Sequence, residues 1–258
     1  MPSPNLSLAA AEDLVTQALV SCGTLPDNAA SVARALVSAE ADGQVGHGLG
    51  RVPSYAAQVR AGKVDGRALP RLTRTAAASL RVDAGHGFAY PAADVALAAL
   101  ASLARETGTA SAGLYASHHI GQLGRVVERL ADQGLVALLL SNTPAAMTVA
   151  GGRRAMLGTN PLAFAAPIAG RPPLVIDMAL TLTTRAKIVA AQKAGQPIPS
   201  DWAVDADGQP TTDPTAALEG ALGPGRRFQG GDLGADGGNS LRGAGRRAGQ
   251  LVGQFLLG

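Results

Sequence analysis

Two hydrophobic periods divide the chain. Near the start, apolar side chains recur every three to four positions. Leu8, Ala11, Val15, Ala18 and Cys22 fall on one helical stripe, which Ser7 can cap and Gly23 can end, with Glu12 and Asp13 near its beginning. Asp27 is placed to cap a second helix over 28–42. After the loop GQVGHGLGR, Pro53 suits the first turn of a third helix, SYAAQVRA, stopped by Gly62. Beyond this the pattern mixes. A strand is expected near 80–82 and a helix over 92–105, then a strand at SAGLYA (111–116). Leu123, Val126, Val127 and Leu130 keep helical spacing, closed by Gly134. LVALLL (135–140) is an unbroken apolar run of the kind a sheet covers on both faces. LAFAAP and PLVID (173–177) predict two more strands, and 183–194 a further helix. Helices leading into alternating strand and helix predict an α/β fold.

Composition adds limits. The 258 residues are 47% hydrophobic but only 3% aromatic, so the core must be built mainly from Ala, Val and Leu. A single cysteine, Cys22, excludes an internal disulfide and, from its helical stripe, reads as a packing residue. No run approaches the ~18 apolar residues of a membrane span, and MPSPNLSLAAAEDL lacks the basic start of a secretion signal. A cytoplasmic location is the expectation. Five arginines and two aspartates lie in residues 223–258, so that tail carries the whole +3 surplus of the chain. A neutral remainder argues against nucleic acid as a partner. The same tail holds 12 of the 33 glycines and is expected to be disordered.

Chemistry centres on four histidines, His47, His86, His118 and His119. His118 and His119 occupy a strand-to-helix connection, where α/β folds place their sites, although such a pair can equally serve a helix start. An imidazole there could take a hydroxyl proton while hydride leaves the same carbon. His47, Arg51 and Tyr55 are spaced by four and would share a face if the loop coils helically, so that Arg51 offers its forked donors to a carboxylate; spacing alone favours a solvated arginine. LGTNP (157–161) is a turn in which Asn160, before Pro161, is expected to be extended. Asp177 ends an apolar strand at the sheet's edge. GHGLGR lacks the preceding strand and the following acidic residue of a dinucleotide fingerprint, and no Cys/His spacing suggests a metal.

Seven ordered blocks carry a resemblance: GHGLGRVPSY (46–55), VDAGHGFAY (82–90), SHHIGQLG (117–124), SNTP (141–144), GGRRAMLGTNPLAFAAP (151–167), VIDMA (175–179) and WAVDADGQPTTDP (202–214). Over about residues 7–222 the chain resembles the malate/L-lactate dehydrogenase family of the non-Rossmann type. That family includes ureidoglycolate, sulfolactate and diketogulonate dehydrogenases and cyclic imino acid reductases. The resemblance implies an NAD- or NADP-dependent oxidoreductase acting on a small 2-hydroxy acid or 2-keto/imino acid, and a homodimer or higher homo-oligomer. It implies a helical substrate-side part over about 1–75 and a cofactor-side part over about 76–222. His119 takes the acid/base position, with His47, Arg51 and Tyr55 on the substrate side. Ser141, Thr159, Asn160, Asp177, Met178 and Ala179 line the cofactor.

The chain departs from the family twice. Gly46 stands where serine usually precedes the first histidine. After TTDP, the family's Lys-Gly-rich stretch gives way to LGPGRRFQGGDLGADGGNSLRG, so the chain reads as a C-terminally incomplete member. The competing expectation is an inactive relative that serves at most as a binding or oligomerisation module.

Overall fold

The computed structural model describes residues 6–225 and, as backbone alone, the strand at 252–257. The chain divides into two units. The first comprises residues 1–139, 163–177 and 250–258, and the second 140–162 and 178–249.

In the first unit, helix α1 (Leu8–Val20) begins where the Ser7 hydroxyl accepts from the Ala10 N–H. Its buried stripe is Ala11, Val15 and Leu19 rather than the one expected from Leu8 through Cys22: Leu8 is exposed, and Cys22 lies past the helix end. The Cys22 thiol donates to the Ala18 carbonyl. Helix α2 (Pro26–Ala41) starts two residues earlier than expected. Leu25 is the cap position and Asp27 lies inside the first turn, because Pro26 supplies the preset φ of a first helical residue. Asn28 is buried and donates to the Gly66 and Ala68 carbonyls, which ties α2 to a distant loop. Helix α3 (Val52–Arg60) follows a 3-10 turn, Leu49–Arg51.

Strand β1 (Arg71–Ala76) pairs antiparallel with β2 (Ser79–Asp83). β1 escaped the sequence reading because all six of its residues are exposed, so it has no buried face to leave a pattern. Helix α4 (Ala89–Thr107) carries the chain from β2 to β3 (Thr109–Tyr115), and the two strands pair in parallel from Ser79↔Ser111 to Asp83↔Tyr115. This is the crossover a parallel pair requires. Helix α5 (Gly124–Ala131) leads to β4 (Val136–Ser141), and β5 (Leu162–Ile168) and β6 (Arg171–Met178) complete the far side. The sheet order is β1-β2-β3-β9-β4-β5-β6, with β9 formed by Val252–Leu257 and parallel to β3. The expectation of disorder for the rest of the tail falls on residues 226–251 and 258, which lie outside the described residues.

One apolar core joins α1 and α2 to α4, α5 and the sheet. Val15 and Leu36 of the N-terminal helices pack in the same cluster as Leu100, Leu114 and Leu139. Each such buried leucine contributes roughly 1.5–3 kcal/mol. The core is built from Ala, Val and Leu, as a chain poor in aromatics demands.

In the second unit, α6 (Arg185–Ala194) is capped by the Thr184 hydroxyl and α7 (Pro214–Glu219) by the Asp213 carboxylate. β7 (Ala203–Val204) pairs antiparallel with β8 (Ala221–Leu222). Ile188, Ile198, Ala203, Ala217 and Leu222 form its small core.

Candidate active site

The connection from β3 to α5 presents His118 and His119 against α3. Tyr55 is buried on α3 and lies 2.7 Å, hydroxyl to Nδ1, from His119. The His47 ring stacks on His119 with centroids 5.6 Å apart and planes 15° apart. His118 uses Nε2 on the Gln58 side-chain oxygen at 2.6 Å, while its buried Nδ1 has no partner among the described residues. Edge contacts from Tyr55 and Phe88 fix the His118 ring. His119 is thus enclosed by aromatic and polar groups. Gln58 lies three residues after Tyr55 on the same helix face, a signal the sequence offered and the reading missed.

The loop before α3 sets Arg51. Glu40 of α2 accepts from the Leu49 N–H at 2.8 Å and so anchors the 3-10 turn. Gly48 permits this approach, since a Cβ there would lie 3.0 Å from the Glu40 backbone and collide with its carboxylate. Arg51 then donates Nε–H to the Gly46 carbonyl at 2.6 Å. Its two terminal nitrogens have no partner among the described residues, which leaves the end of the fork open to an anion.

Electrostatics follow from this crowding. Burial first, and then the Arg51 charge, hold His119 at about 3, well below the ordinary 6.5. Burial, then Lys63 and Arg51, hold His118 at about 4. His47 is lowered by burial and Arg51, against an opposing pull from Asp177. All three imidazoles are neutral near pH 7, and the Arg51 guanidinium supplies the positive charge among them.

Asp177 at the end of β6 accepts from the Gly124 N–H at 2.7 Å, at the first turn of α5. Burial nevertheless raises its pKa. It lines a cleft of about 330 Å³ together with Asp42, Gln44, Gln122, Gly124, Arg125, Glu128 and Val175. None of the histidines lines that cleft. Arg125 is committed within it: Nε–H donates to Asp42 at 2.6 Å and NH1 to Glu128 at 2.8 Å. Asp42 is lowered chiefly by its hydrogen bond from Arg125. Among the described residues, no group of three or more His, Cys, Asp or Glu could hold a metal ion.

The remaining predicted positions, Ser141, Thr159, Asn160, Met178 and Ala179, lie in the second unit. Thr143 organises the turn there. Its hydroxyl accepts from the Thr159 N–H at 2.8 Å, and its N–H donates to the Asn160 side chain at 3.1 Å. Asn160 is not extended as expected but adopts φ +31°. That side-chain bond offsets the restriction imposed by Pro161, and asparagine tolerates the left-handed region. Thr159 accepts through its carbonyl from the Leu180 N–H at 2.9 Å. Just beyond Ala179, the buried hydroxyls of Thr181 and Thr183 have no partner among the described residues. Their unused hydrogen-bonding capacity is of the chemistry that the amide and ribose groups of a nicotinamide nucleotide would need from this segment.

Comparison with known proteins gives this geometry a family. The model of the malate/L-lactate dehydrogenase family matches residues 6–241, past the limit of 222 set by the sequence blocks. The (2R)-3-sulfolactate dehydrogenase (NADP(+)) of Chromohalobacter salexigens is 47% identical over 228 residues, 88% of this chain and 68% of that protein. The delta(1)-pyrroline-2-carboxylate/delta(1)-piperideine-2-carboxylate reductase of Pseudomonas putida is 44% identical over 194 residues, 74% of this chain and 57% of that protein. The crystal structure of delta1-piperideine-2-carboxylate reductase from Pseudomonas syringae superimposes with a TM-score of 0.83 at 39% identity, covering 86% of this chain and 67% of that one. The chain thus spans roughly three fifths to two thirds of its relatives' length. With a family model matched over most of its residues, the chain belongs to the malate/L-lactate dehydrogenase family.

Proposed function

We propose that this chain is an NAD(P)-dependent oxidoreductase that interconverts a small 2-hydroxy acid with its 2-keto acid, or a cyclic 2-imino acid with its amine. The observation that carries the proposal is the neutral His119 ring held between Tyr55 and His47, with the open-ended Arg51 guanidinium acting on all three. Sulfolactate and cyclic imino acids, the compounds named for its relatives, share a carboxylate beside a carbon that gains or loses hydride.

Arg51 binds that carboxylate through its free nitrogens and orients C2. Holding the reacting carbon in one pose supplies a large part of the acceleration. His119 exchanges the proton at the C2 oxygen or nitrogen through Nε2, since Nδ1 is engaged by Tyr55. His47 walls the ring from the opposite face and limits water. Substrate binding also tunes the site: a carboxylate on Arg51 cancels much of the charge that depresses His119 and so raises its proton affinity. When bound, NAD or NADP supplies the hydride donor or acceptor. Ser141, Thr159, Asn160, Asp177, Met178 and Ala179 are the residues proposed to hold it. A homodimer or higher homo-oligomer and a cytoplasmic location belong to the same proposal. No helix among the described residues is long and apolar enough to cross a membrane.

The test is oxidation of NADPH and of NADH by the purified chain, offered cyclic 2-imino acids and small 2-keto acids. Turnover of at least one pair is expected. Failure of every pair, with no change in reduced-cofactor fluorescence on adding protein, would overturn the proposal.

A further inference from the structure

Tyr90 in α4 has no part in the mechanism so far. Its hydroxyl is buried, and its partner among the described residues is the Tyr55 hydroxyl at 3.3 Å. Tyr55 in turn reaches Nδ1 of His119 at 2.7 Å. The three groups form one chain, and each phenol has a single proton to give. If Tyr55 donated to Tyr90, the Tyr90 proton would be buried without an acceptor, an arrangement that is strongly disfavoured. Tyr90 therefore donates to Tyr55, and the buried Tyr55 proton, whose one remaining acceptor among the described residues is Nδ1, goes to His119. Nδ1 must then carry the lone pair, which leaves the proton of the neutral ring on Nε2.

We propose that Tyr90 is a positioning residue that acts through Tyr55 to hold His119 in its Nε2–H tautomer, so that the resting site presents a hydrogen-bond donor to the C2 oxygen or nitrogen of the substrate. The assignment rests on the proposed role of His119 and adds its direction: the unliganded site is set for reduction. A neutral imidazole N–H can polarise a carbonyl in this way, and as hydride reaches C2 its proton passes to the C2 oxygen or nitrogen, water restoring it to Nε2 when the product leaves. The chain orients and does not conduct. It ends at Tyr90, whose burial pushes its own pKa well up, so no proton can leave by that route. The charged or titratable groups acting on His119 are Arg51, His47 and His118, and none of them reaches Nδ1. Gly121, at φ +75°, makes the arrangement possible, because a Cβ there would sit 2.5 Å from the Tyr90 hydroxyl.

The test is long-range nitrogen–proton NMR of histidine-labelled full chain, wild type against Tyr90→Phe, with His119 identified by its absence in His119→Asn. The expected result is a bare Nδ1 and protonated Nε2 in wild type, and a shift toward protonated Nδ1 in Tyr90→Phe. The same variant should lower kcat for reduction about tenfold while KM moves less than about twofold. A wild-type ring protonated on Nδ1, or a tautomer unmoved in Tyr90→Phe, overturns the assignment. Should Tyr90→Phe not fold, the wild-type spectrum alone decides. The predicted tautomers without turnover of any acid would uphold the assignment and count against the proposed function instead.

Discussion

Replacing Gly121 by alanine tests the packing on which the site's geometry depends. The methyl group faces two penalties. At φ +75° an L side chain strains the backbone, at a cost of about 1–2 kcal/mol. The new carbon would also stand 2.5 Å from the Tyr90 hydroxyl, well inside contact distance. Tyr90 is buried and has little room to yield, so overpacking adds about 1–3 kcal/mol. The combined loss is about 2–5 kcal/mol, or a fall in Tm of about 4–20 °C for a unit of this size. Gly134→Ala is the matched control: its φ is +81°, and nothing lies within 4 Å of the added carbon. It should lose only the backbone part, about 1–2 kcal/mol. Thermal unfolding followed by circular dichroism compares the two. Gly121→Ala should also depress reduction, because Tyr90 is pushed from Tyr55. Equal losses in the two variants would show that Tyr90 does not press on Gly121, and the reasoning would fail.

Three other outcomes are expected. His119→Asn should lower kcat about 10²–10⁴-fold while carboxylate binding persists, checked by steady-state kinetics beside equilibrium titration. Arg51→Lys keeps the charge but loses the fork and the bond to the Gly46 carbonyl, so KM should rise about 10- to 100-fold. Stability should fall as pH drops from about 6.5 toward 3. Folded His118 and His119 titrate at about 4 and 3, so over that window the unfolded chain binds protons that the folded one refuses. Urea midpoints measured across the window check this. His119→Gln, which cannot titrate, should lose less, and a wild-type midpoint that rises on acidification would contradict the sign.

Much of the fold could be read from periodicity because burial imposes it. α4 and β4 are strongly apolar, and both lie close to where the pattern put them. β1 could not be read, since an exposed edge strand has no buried face to mark its period. Asp27 looked like a cap by residue type, but Pro26 fixed the helix start one residue before it. In the site, the spacing of His47, Arg51 and Tyr55 suggested a shared face. Tyr90 and Gln58 carry no such mark, since an aromatic in an alanine-rich helix and a lone glutamine look like ordinary packing and surface. At Asn160 the proline rule for the backbone yields to a side-chain bond from seventeen residues away.

The sequence alone determined the α/β class, the alanine- and leucine-built core and the set of residues able to do acid chemistry, because each depends on side-chain type and local spacing. Tertiary structure decided which of those residues meet. Tyr55 and His119 are 64 positions apart, and Tyr90 joins them only because α4 packs beneath the connection that carries His119. The depressed proton affinity of His119 likewise comes from burial and from a guanidinium distant in sequence. Contact and desolvation are properties of the packed chain, and no local pattern encodes them.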